Sequence, residues 1–382
     1  MKPEYDLLIG LLREQMTGHP AQIPQELDGD ALIQLAQRHK LETFLYAALE
    51  GRWEEEKLRS LAAGFHKAVF RDAQFDDYRK RLTQVLTEQQ VRHVYLRGIC
   101  LKHDYPAPAM RTMSDMDILV LPEDFPKIRK CMESLGGQLR EGDGNHRTYA
   151  LPMGLTVEFH PNLIHCSSPV ATGVNPGWQY VPEGQGSGEV FMTEEGFYLN
   201  VIAHLANHFA AGGVGVRFVL DIWVCRYLRK NQPDRAFVEA ELERIGLLEF
   251  TRKIEALAEV WFSGAPGDEG IAELAEYILT SGIHGFHDRA VLNAVSFSGS
   301  GLGALKNKIF YPRQDLETRY DWVKGRSWLL PIAWLVRAFR AVTRHWDKIF
   351  SWGKKTGDCS KTAVRSQQEM LARFGIKTQE DH

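Results

Sequence analysis

Two aspartates one residue apart stand at the start of an apolar run, in the sequence RTMSDMDILV at positions 111–120. Alternate residues of a β-strand share a face, so Asp115 and Asp117 are predicted to point one way and Met116 the other, into a core. Two adjacent carboxylates repel each other, and a divalent cation between them relieves that repulsion. Mg²⁺ binds carboxylate oxygens together with the phosphates of a substrate. The plainer alternative is an acidic loop, capped by Ser114, before an ordinary strand.

The elements upstream of these aspartates follow from hydrophobic spacing. Apolar residues recur at helical intervals over 75–90, which predicts an amphipathic helix. Residues 91–96 then predict a short strand, which ends at Arg97 and Gly98.

The elements downstream are predicted to bring a third carboxylate to the aspartates. Residues 126–135 indicate a helix, and residues 142–144 the turn of a hairpin. The returning strand is predicted over 155–160, where apolar residues alternate with polar ones. Glu158 and His160 would share the polar face of that strand, so Glu158 is expected to complete a three-carboxylate cluster.

This order of elements resembles the DNA polymerase beta superfamily of nucleotidyltransferases. The similarity rests on the strand ending in Gly98, the S-D-x-D sequence with its apolar continuation, and an acidic residue on a later strand. It is greatest to the bacterial group of uncharacterised nucleotidyltransferases, and it extends from about residue 75 to about residue 345. The resemblance implies an α+β fold, in which helical segments flank a small mixed sheet on both its N-terminal and C-terminal sides.

The resemblance also implies a reaction and a set of site residues. The reaction would be transfer of a nucleoside monophosphate, expected to be AMP from ATP, to a hydroxyl-bearing acceptor. Mg²⁺ or Mn²⁺ would be bound by the catalytic residues Asp115, Asp117 and Glu158. The residues expected to bind the NTP are Arg97, Gly98, Lys102, Arg111 and Ser114.

One departure from the superfamily concerns the residue after Gly98. Most members have glycine or serine there to hold the phosphates, whereas this chain has Ile99. Side-chain contacts from Arg97, Lys102 and Arg111 are the expected replacement. Two alternatives stay open: a phosphotransferase that uses the same metals, and a catalytically silent module that binds nucleotide or another protein.

Two pairs of residues four apart lie in the C-terminal half. His204 and His208 share one side of a helix, but Leu205 breaks the H-E-x-x-H zinc pattern, so we interpret them as buried or cleft-lining histidines. Together with His160 they are candidates for the acceptor site. Arg217 and Asp221 are most simply an intrahelical ion pair. The acceptor itself is open: a small molecule, a peptide or a protein.

Composition shifts divide the chain into five parts. Residues 1–74 predict a helical cap and 75–164 the catalytic core. Residues 165–192 are rich in Pro and Gly and predict a long connecting loop, expected to be functional or mobile. Residues 193–352 predict a helical domain, opened by Thr193 as the N-cap, and 353–382 predict a loose polar tail.

Charge and cysteine usage limit the function classes. The 382 residues include 46 Lys and Arg against 49 Asp and Glu, a formal net charge of −3, so nucleic acid is not expected as the main partner. The five cysteines are far apart and form no C-x-x-C pair, which favours a reducing cytoplasm over a disulfide framework or a zinc ribbon. With no apolar signal core at the N-terminus and no apolar run long enough to span a membrane, a cytoplasmic location is predicted.

The segment 328–352 contains four of the nine tryptophans and a basic stripe. The stripe consists of Arg337, Arg340, Arg344 and Lys348. A basic helix rich in Trp can lie on an anionic membrane surface. The favoured interpretation is instead a terminal helix whose aromatic side packs on the domain while its arginines face water.

Overall fold

The computed structural model describes residues 2–140, 146–282 and 287–378. A five-stranded sheet with two helices on one face lies against a larger helical body. The strands are β1 (His93–Tyr95), β2 (Met116–Val120), β3 (Gln138–Leu139), β4 (Arg147–Ala150) and β5 (Thr156–His160). The helices before β2 are α1 (Pro3–Thr17), α2 (Gly29–His39), α3 (Glu42–Leu49), α4 (Glu55–Glu88) and the short α5 (Gly98–Leu101).

The remaining helices follow β2. They are α6 (Phe125–Ser134), α7 (Glu194–Ala211), α8 (Val216–Tyr227), α9 (Arg235–Arg244), α10 (Leu248–Ala258), α11 (Glu269–Ser281), α12 (His287–Ser298), α13 (Gly301–Ile309), α14 (Arg313–Arg319), α15 (Leu330–Asp358) and α16 (Lys361–Arg373). The predicted α+β class is confirmed.

The sheet has the strand order β1-β2-β5-β4-β3. β2 and β5 run parallel, and the other neighbours are antiparallel. Met116 and Ile118 of β2 are fully buried in a cluster with apolar side chains of α4 and α6, as the alternation predicted. The opposite face of β2 and β5, which includes Asp117 and Glu158, is turned toward the helical body.

One strand was missed by the sequence prediction. The strand returning from β3 is β4, and 156–160 is the next strand along, reached through a turn at Pro152–Gly154. The predicted hairpin turn at 142–144 lies outside the described residues. β4 has only four residues and little apolar alternation, so periodicity gave no signal for it.

The N-terminal helices join the helical body as well as the catalytic core. α4 is one continuous helix through the predicted boundary at 74/75. The Arg13 guanidinium donates to the carbonyl of Trp261 at 2.9 Å, and the His39 ring contacts the carbonyl of Leu279 at 3.0 Å. These contacts join the first helices to the body formed by α7–α11.

The Pro/Gly-rich connection over 165–192 contains short 3-10 turns, at Thr172–Val174 and Trp178–Tyr180, and an isolated β-bridge between Glu189 and His93. Val174 and Tyr180 are buried in the main core, so the connection is packed along the body. Thr193 caps α7 as predicted, because its hydroxyl accepts the N–H of Gly196 at 3.1 Å.

The predicted loose polar tail is wrong. α15 continues to Asp358, and α16 carries Leu371, Phe374 and Ile376 into the main core. Gln367 and Gln368 add buried hydrogen bonds to α12, so the segment is anchored by both apolar and polar contacts.

The packing predicted for the helix in 328–352 is only half right. Trp334 and Trp352 pack inward, but so does Arg337, whose guanidinium lies 3.7 Å from the centre of the Tyr311 ring. Trp328 and Phe339 are exposed. The side chains of Arg344 and Lys348 lie outside the described part. Among the described helices, none is both long and apolar enough to cross a bilayer.

Candidate active site

A cavity of about 260 Å³ lies between the polar face of β2 and β5 and the helices α7 and α8. Nearly all the site residues predicted from the sequence line this cavity. The selected residues that line this cavity are Arg97, Gly98, Arg111, Ser114, Asp115, Asp117, Glu158, His160, His204 and His208. Lys102 does not line it.

The parallel pairing of β2 with β5 brings the acidic residues together. Asp117 is directly opposite Glu158, so the two carboxylates are neighbours on one face. His160 Nε2 lies 2.8 Å from Oδ1 of Asp117 and 3.6 Å from Oε2 of Glu158. One ligand atom from each of these three residues lies within 4.8 Å of the other two, close enough to hold one metal ion. Asp115 precedes the strand and lines the same cavity.

Arg97 places a buried cation beside this group. Its Nη1 lies 3.3 Å from Oδ2 of Asp117, and its buried Nε has no hydrogen-bond partner within the described part of the chain. The backbone of Arg97 is in a positive-φ conformation (φ 53°), which non-glycine residues seldom adopt outside functional or strained sites. This conformation ends β1 and turns the chain into α5.

The next two residues are explained by packing. A Cβ on Gly98 would meet the Met113 sulfur at 2.9 Å, so glycine leaves room for the loop that carries the aspartates. Ile99 is buried in the cluster between the sheet and α4. The side chain at position 99 therefore packs in the core. This explains why the chain has isoleucine there and not glycine or serine.

The carboxylates differ in their electrostatics. Burial, followed by the charges of Asp117 and Glu158, raises the pKa of Asp115 to about 6. Burial acts the same way on Asp117, but Arg97 and the hydrogen bond from His160 outweigh it and hold its pKa well below the ordinary value. The cluster thus contains one carboxyl with a strong tendency to keep a proton when no metal is bound.

Two histidines that the sequence analysis missed complete the polar wall. His146 Nε2 lies 3.3 Å from Oε2 of Glu158, and its ring stacks 4.9 Å from that of His160. His165 lines the cavity, and burial followed by the two neighbouring histidines lowers its pKa to about 4. His146 directly precedes β4, so recognising that strand would have placed it next to Glu158.

Arg111 is held by a carboxylate from the helical body. Its Nε and Nη2 donate to the two oxygens of Asp221 at 2.6 and 2.7 Å, and the Tyr105 hydroxyl donates to the same carboxylate at 2.7 Å. The predicted intrahelical pair of Arg217 with Asp221 is therefore wrong, because Arg111 takes that partner.

Arg217 lines the cavity, and no carboxylate among the described residues lies within ion-pair distance of it. Its Nη1 donates to the carbonyl and hydroxyl oxygens of Thr112, at 2.7 and 3.0 Å. Burial, followed by the charge of Arg111, lowers its pKa to about 10. A half-buried cation whose pKa is lowered in this way would be stabilised by an anionic ligand.

Lys102 lies away from the cavity. Its buried Nζ is 2.7 Å from Asp72 and 2.6 Å from Asp76, both on α4. The predicted phosphate contact from Lys102 does not fit this position, because the ammonium ties the loop after α5 to α4.

The histidines of α7 form the wall opposite the carboxylates. The Nε2 atoms of His204 and His208 lie 3.0 Å apart, and both rings contact Phe218 of α8. Burial, followed by the charge of Arg97, places the pKa of His204 well below its ordinary value, so this ring is neutral. The prediction that these histidines face a cleft is confirmed by their position in the cavity wall.

A second cavity, of about 350 Å³, adjoins the first. The two share Arg111, Met113, Ser114 and Arg217. Its other walls come from α3, α4 and the end of α2, and they include the exposed cations Lys40 and Lys67.

The mixed sheet and its grouped carboxylates define the class of a nucleotidyltransferase, and comparison with known proteins agrees. A family model described as "uncharacterised nucleotidyltransferase" matches residues 25–263, well over half of the chain. The chain belongs to this family. The match includes the N-terminal helices from α2 onward and ends before α11, so it begins earlier and stops sooner than the resemblance seen in the sequence. No curated protein and no solved structure matches the chain.

Proposed function

We propose that the protein transfers a nucleoside monophosphate, AMP from ATP, to a hydroxyl-bearing acceptor, and that Mg²⁺ or Mn²⁺ is required. The observation that carries the proposal is the group formed by Asp117, Glu158 and His160, with Asp115 in the same cavity. Family membership supports the class of reaction. The metal, the nucleotide and the acceptor are inferences from the chemistry of the site.

The donor set fits a divalent cation. Two carboxylates and an imidazole nitrogen converge within the reach of one ion, and burial followed by the charges of Asp117 and Glu158 raises the pKa of Asp115. Asp115, Asp117 and Glu158 would hold the metal, with His160 as an additional ligand. When bound, divalent cations neutralise charge on the triphosphate and lower the pKa of the attacking hydroxyl.

The cations of the cavity are proposed to bind the phosphates. Arg97 is buried and Arg217 is half-buried; both line the cavity and have donor capacity beyond their present contacts. Arg111 already donates to both oxygens of Asp221, so its role is to hold the loop of Ser114 and Asp115 against α8. Side-chain binding of this kind would replace the glycine-serine contact that Ile99 excludes.

The α7 wall is proposed as the acceptor side. His204 and His208 face the carboxylates across the cavity, and a neutral imidazole can orient a hydroxyl by accepting its proton in a hydrogen bond. The acceptor oxygen would attack the α-phosphorus, forming a P–O bond as the bond to the departing pyrophosphate breaks. Glu158, which His146 helps to keep ionised, would take the released proton. The adjoining cavity would give space for the rest of the substrates.

The compartment proposed for this reaction is the cytoplasm. All five cysteines are free thiols, which suits a reducing environment.

ATP labelled at either its α- or its γ-phosphate separates this proposal from its rivals. The protein would be incubated with each label, Mg²⁺ or Mn²⁺, and fractions of a cell extract as the source of acceptor. Nucleotidyl transfer puts the α-label on an acceptor and releases pyrophosphate, whereas a phosphotransferase transfers the γ-label and releases ADP. A silent module gives neither product with any fraction or metal. Asp117→Asn is the inactive control for both reactions, and Glu123→Gln, an exposed acid outside the cavity, is the matched active one.

A further inference from the structure

The first turns of α15 expose a stripe of large apolar side chains. Ile332, Leu335 and Phe339 lie three and four residues apart on one side of the helix and are 47%, 70% and 70% exposed. Trp328, just before the helix, is 74% exposed. Soluble proteins seldom leave such residues together in water unless the surface binds something.

The opposite side of the same helix is fixed to the protein. Trp334 donates its indole N–H to the carbonyl of Tyr311 at 3.1 Å, and Arg337 donates to the carbonyl of Lys308 at 2.5 Å. Ala333 is fully buried. Because this inner side is already packed, the outer stripe cannot be turned inward by rotating the helix.

Cations predominate in the segment that carries the stripe. Residues 322–346 contain five Lys and Arg and no Asp or Glu. Of these cations, Lys324, Arg326 and Arg340 are exposed. The Glu317 carboxylate of α14 accepts the N–H of Gly325 at 3.2 Å, but it is paired with Arg313. An apolar stripe with exposed cations beside it complements an anionic lipid surface, where the apolar side chains enter the acyl boundary and the cations meet the headgroups.

We propose that the stripe of Trp328, Ile332, Leu335 and Phe339 binds the surface of an anionic membrane. The helix would lie along the lipid surface, with its inner side still attached to the protein. α14, whose Leu316 packs in one cluster with Ala333 of α15, is joined to the cavity wall, since Asp315 accepts the backbone N–H groups of Cys166 and Ser167, next to His165. The inference does not depend on the proposed reaction, and it concerns residues beyond the family match.

Vesicle co-sedimentation of the full chain tests the proposal. The vesicles would consist of phosphatidylcholine alone, or of phosphatidylcholine mixed with phosphatidylglycerol. We expect binding to the anionic vesicles only, weakened by added salt. The double variant Leu335→Glu and Phe339→Glu should lower the partition coefficient about a hundredfold or more, and Arg340→Ser about fivefold.

Phe70→Glu is the matched control. Phe70 of α4 is 65% exposed, so the substitution adds one negative charge, as each member of the double variant does, at a similarly exposed apolar residue. It should bind vesicles like the parent. The proposal is overturned if the parent stays in the supernatant with both lipids or binds both equally. It is also overturned if Phe70→Glu lowers vesicle binding as much as the double variant does. A parent that sediments as a dimer in solution, and is made monomeric by the double variant while ignoring vesicles, would instead identify a second copy as the occupant.

Discussion

The imidazole Nε2 of His160 lies 2.8 Å from Oδ1 of Asp117, inside a group that also contains Glu158. A ring nitrogen therefore stands where the sequence predicted only carboxylate oxygens. Mg²⁺ is a hard cation that takes oxygen ligands, so a transition-metal ion such as Mn²⁺ accepts an imidazole nitrogen more readily than Mg²⁺ does. Burial lowers the pKa of His160, so the ring is neutral, and metal binding requires only that its proton reside on Nδ1.

His160→Gln is expected to change metal preference. The parent should bind Mn²⁺ more tightly than Mg²⁺, and the variant should lose about tenfold in Mn²⁺ affinity, as for loss of an orienting group at a metal site, with little change for Mg²⁺. Calorimetric titration of each metal measures this, and nitrogen couplings in the Mn²⁺ electron-spin-echo spectrum check the ligand directly. His208→Gln, a cavity histidine away from the carboxylates, is the control. Equal metal preferences in parent and variant would leave His160 with a purely structural role.

Asp115→Asn is expected to stabilise the metal-free protein at neutral pH. The folded pKa of Asp115, about 6, lies above its ordinary value, so the folded state holds a proton that the unfolded state has released. The unfolding free energy of the parent should therefore fall as pH rises from about 4 to about 6. Above that window the Asn variant should be more stable by about 2 kcal/mol, and near pH ~4 the two should agree.

Urea denaturation with a chelator present measures this difference, and Glu123→Gln should show none of it. Adding Mn²⁺ should remove the advantage of the variant, because the metal compensates the carboxylates in the parent alone. The raised pKa of Asp115 is contradicted if the unfolding free energy of the parent rises between pH ~4 and ~6 by the same amount as that of the Asn variant.

Arg97→Ala and Arg217→Ala are expected to weaken binding of an ATP analogue by about 1.5–3 kcal/mol each, the range for a hydrogen bond to a charged group. Both guanidinium groups line the cavity. Calorimetry with a non-hydrolysable analogue and Mg²⁺ gives the affinities, and Arg59→Ala, at an exposed position on α4, is the matched control. Parent-like affinity in both variants would make these arginines structural.

Arg111→Ala is expected to act on stability. Without its partner, the buried Asp221 carboxylate is left uncompensated, which costs about 3–5 kcal/mol of unfolding free energy. Replacing both residues, as Arg111→Met with Asp221→Leu, should recover much of that loss. Nucleotide affinity per folded molecule should stay near that of the parent, because the guanidinium is already paired with Asp221. A large loss of affinity at unchanged stability would instead show that Arg111 binds the phosphates.

His204→Ala is expected to reduce transfer to the acceptor by about tenfold or more, within the range for a positioned acid-base group, while nucleotide affinity changes little. His39→Ala is the structural comparison, since that buried ring joins α2 to the carbonyl of Leu279 and should lower the melting temperature instead. Measuring rate and folded fraction together separates the two. A His204 variant that unfolds earlier yet transfers normally per folded molecule contradicts the acceptor placement.

Local periodicity was enough to predict much of the site. Alternation along 115–120 and 155–160 set which side chains share a face, since a strand permits only two. That alternation predicted Asp117 and Glu158 on the polar faces of their strands and Met116 in the core. The order of elements gave the expectation that the two strands are neighbours. The residue types at 193–195 separately predicted Thr193 as the cap of α7.

Partner choice was decided only by the tertiary structure. Arg217 and Asp221 are four residues apart, yet Asp221 pairs with Arg111 from a distant loop, because that guanidinium reaches both oxygens in a buried position. His146 reaches Glu158 only through β4, a strand too short for a periodic signal. The sequence of the C-terminal segment predicted a polar tail, but Phe374 is buried in a core formed by residues far away in the sequence. A sequence window records the spacing of residues along the chain, whereas burial and ion pairing depend on residues that the window does not contain.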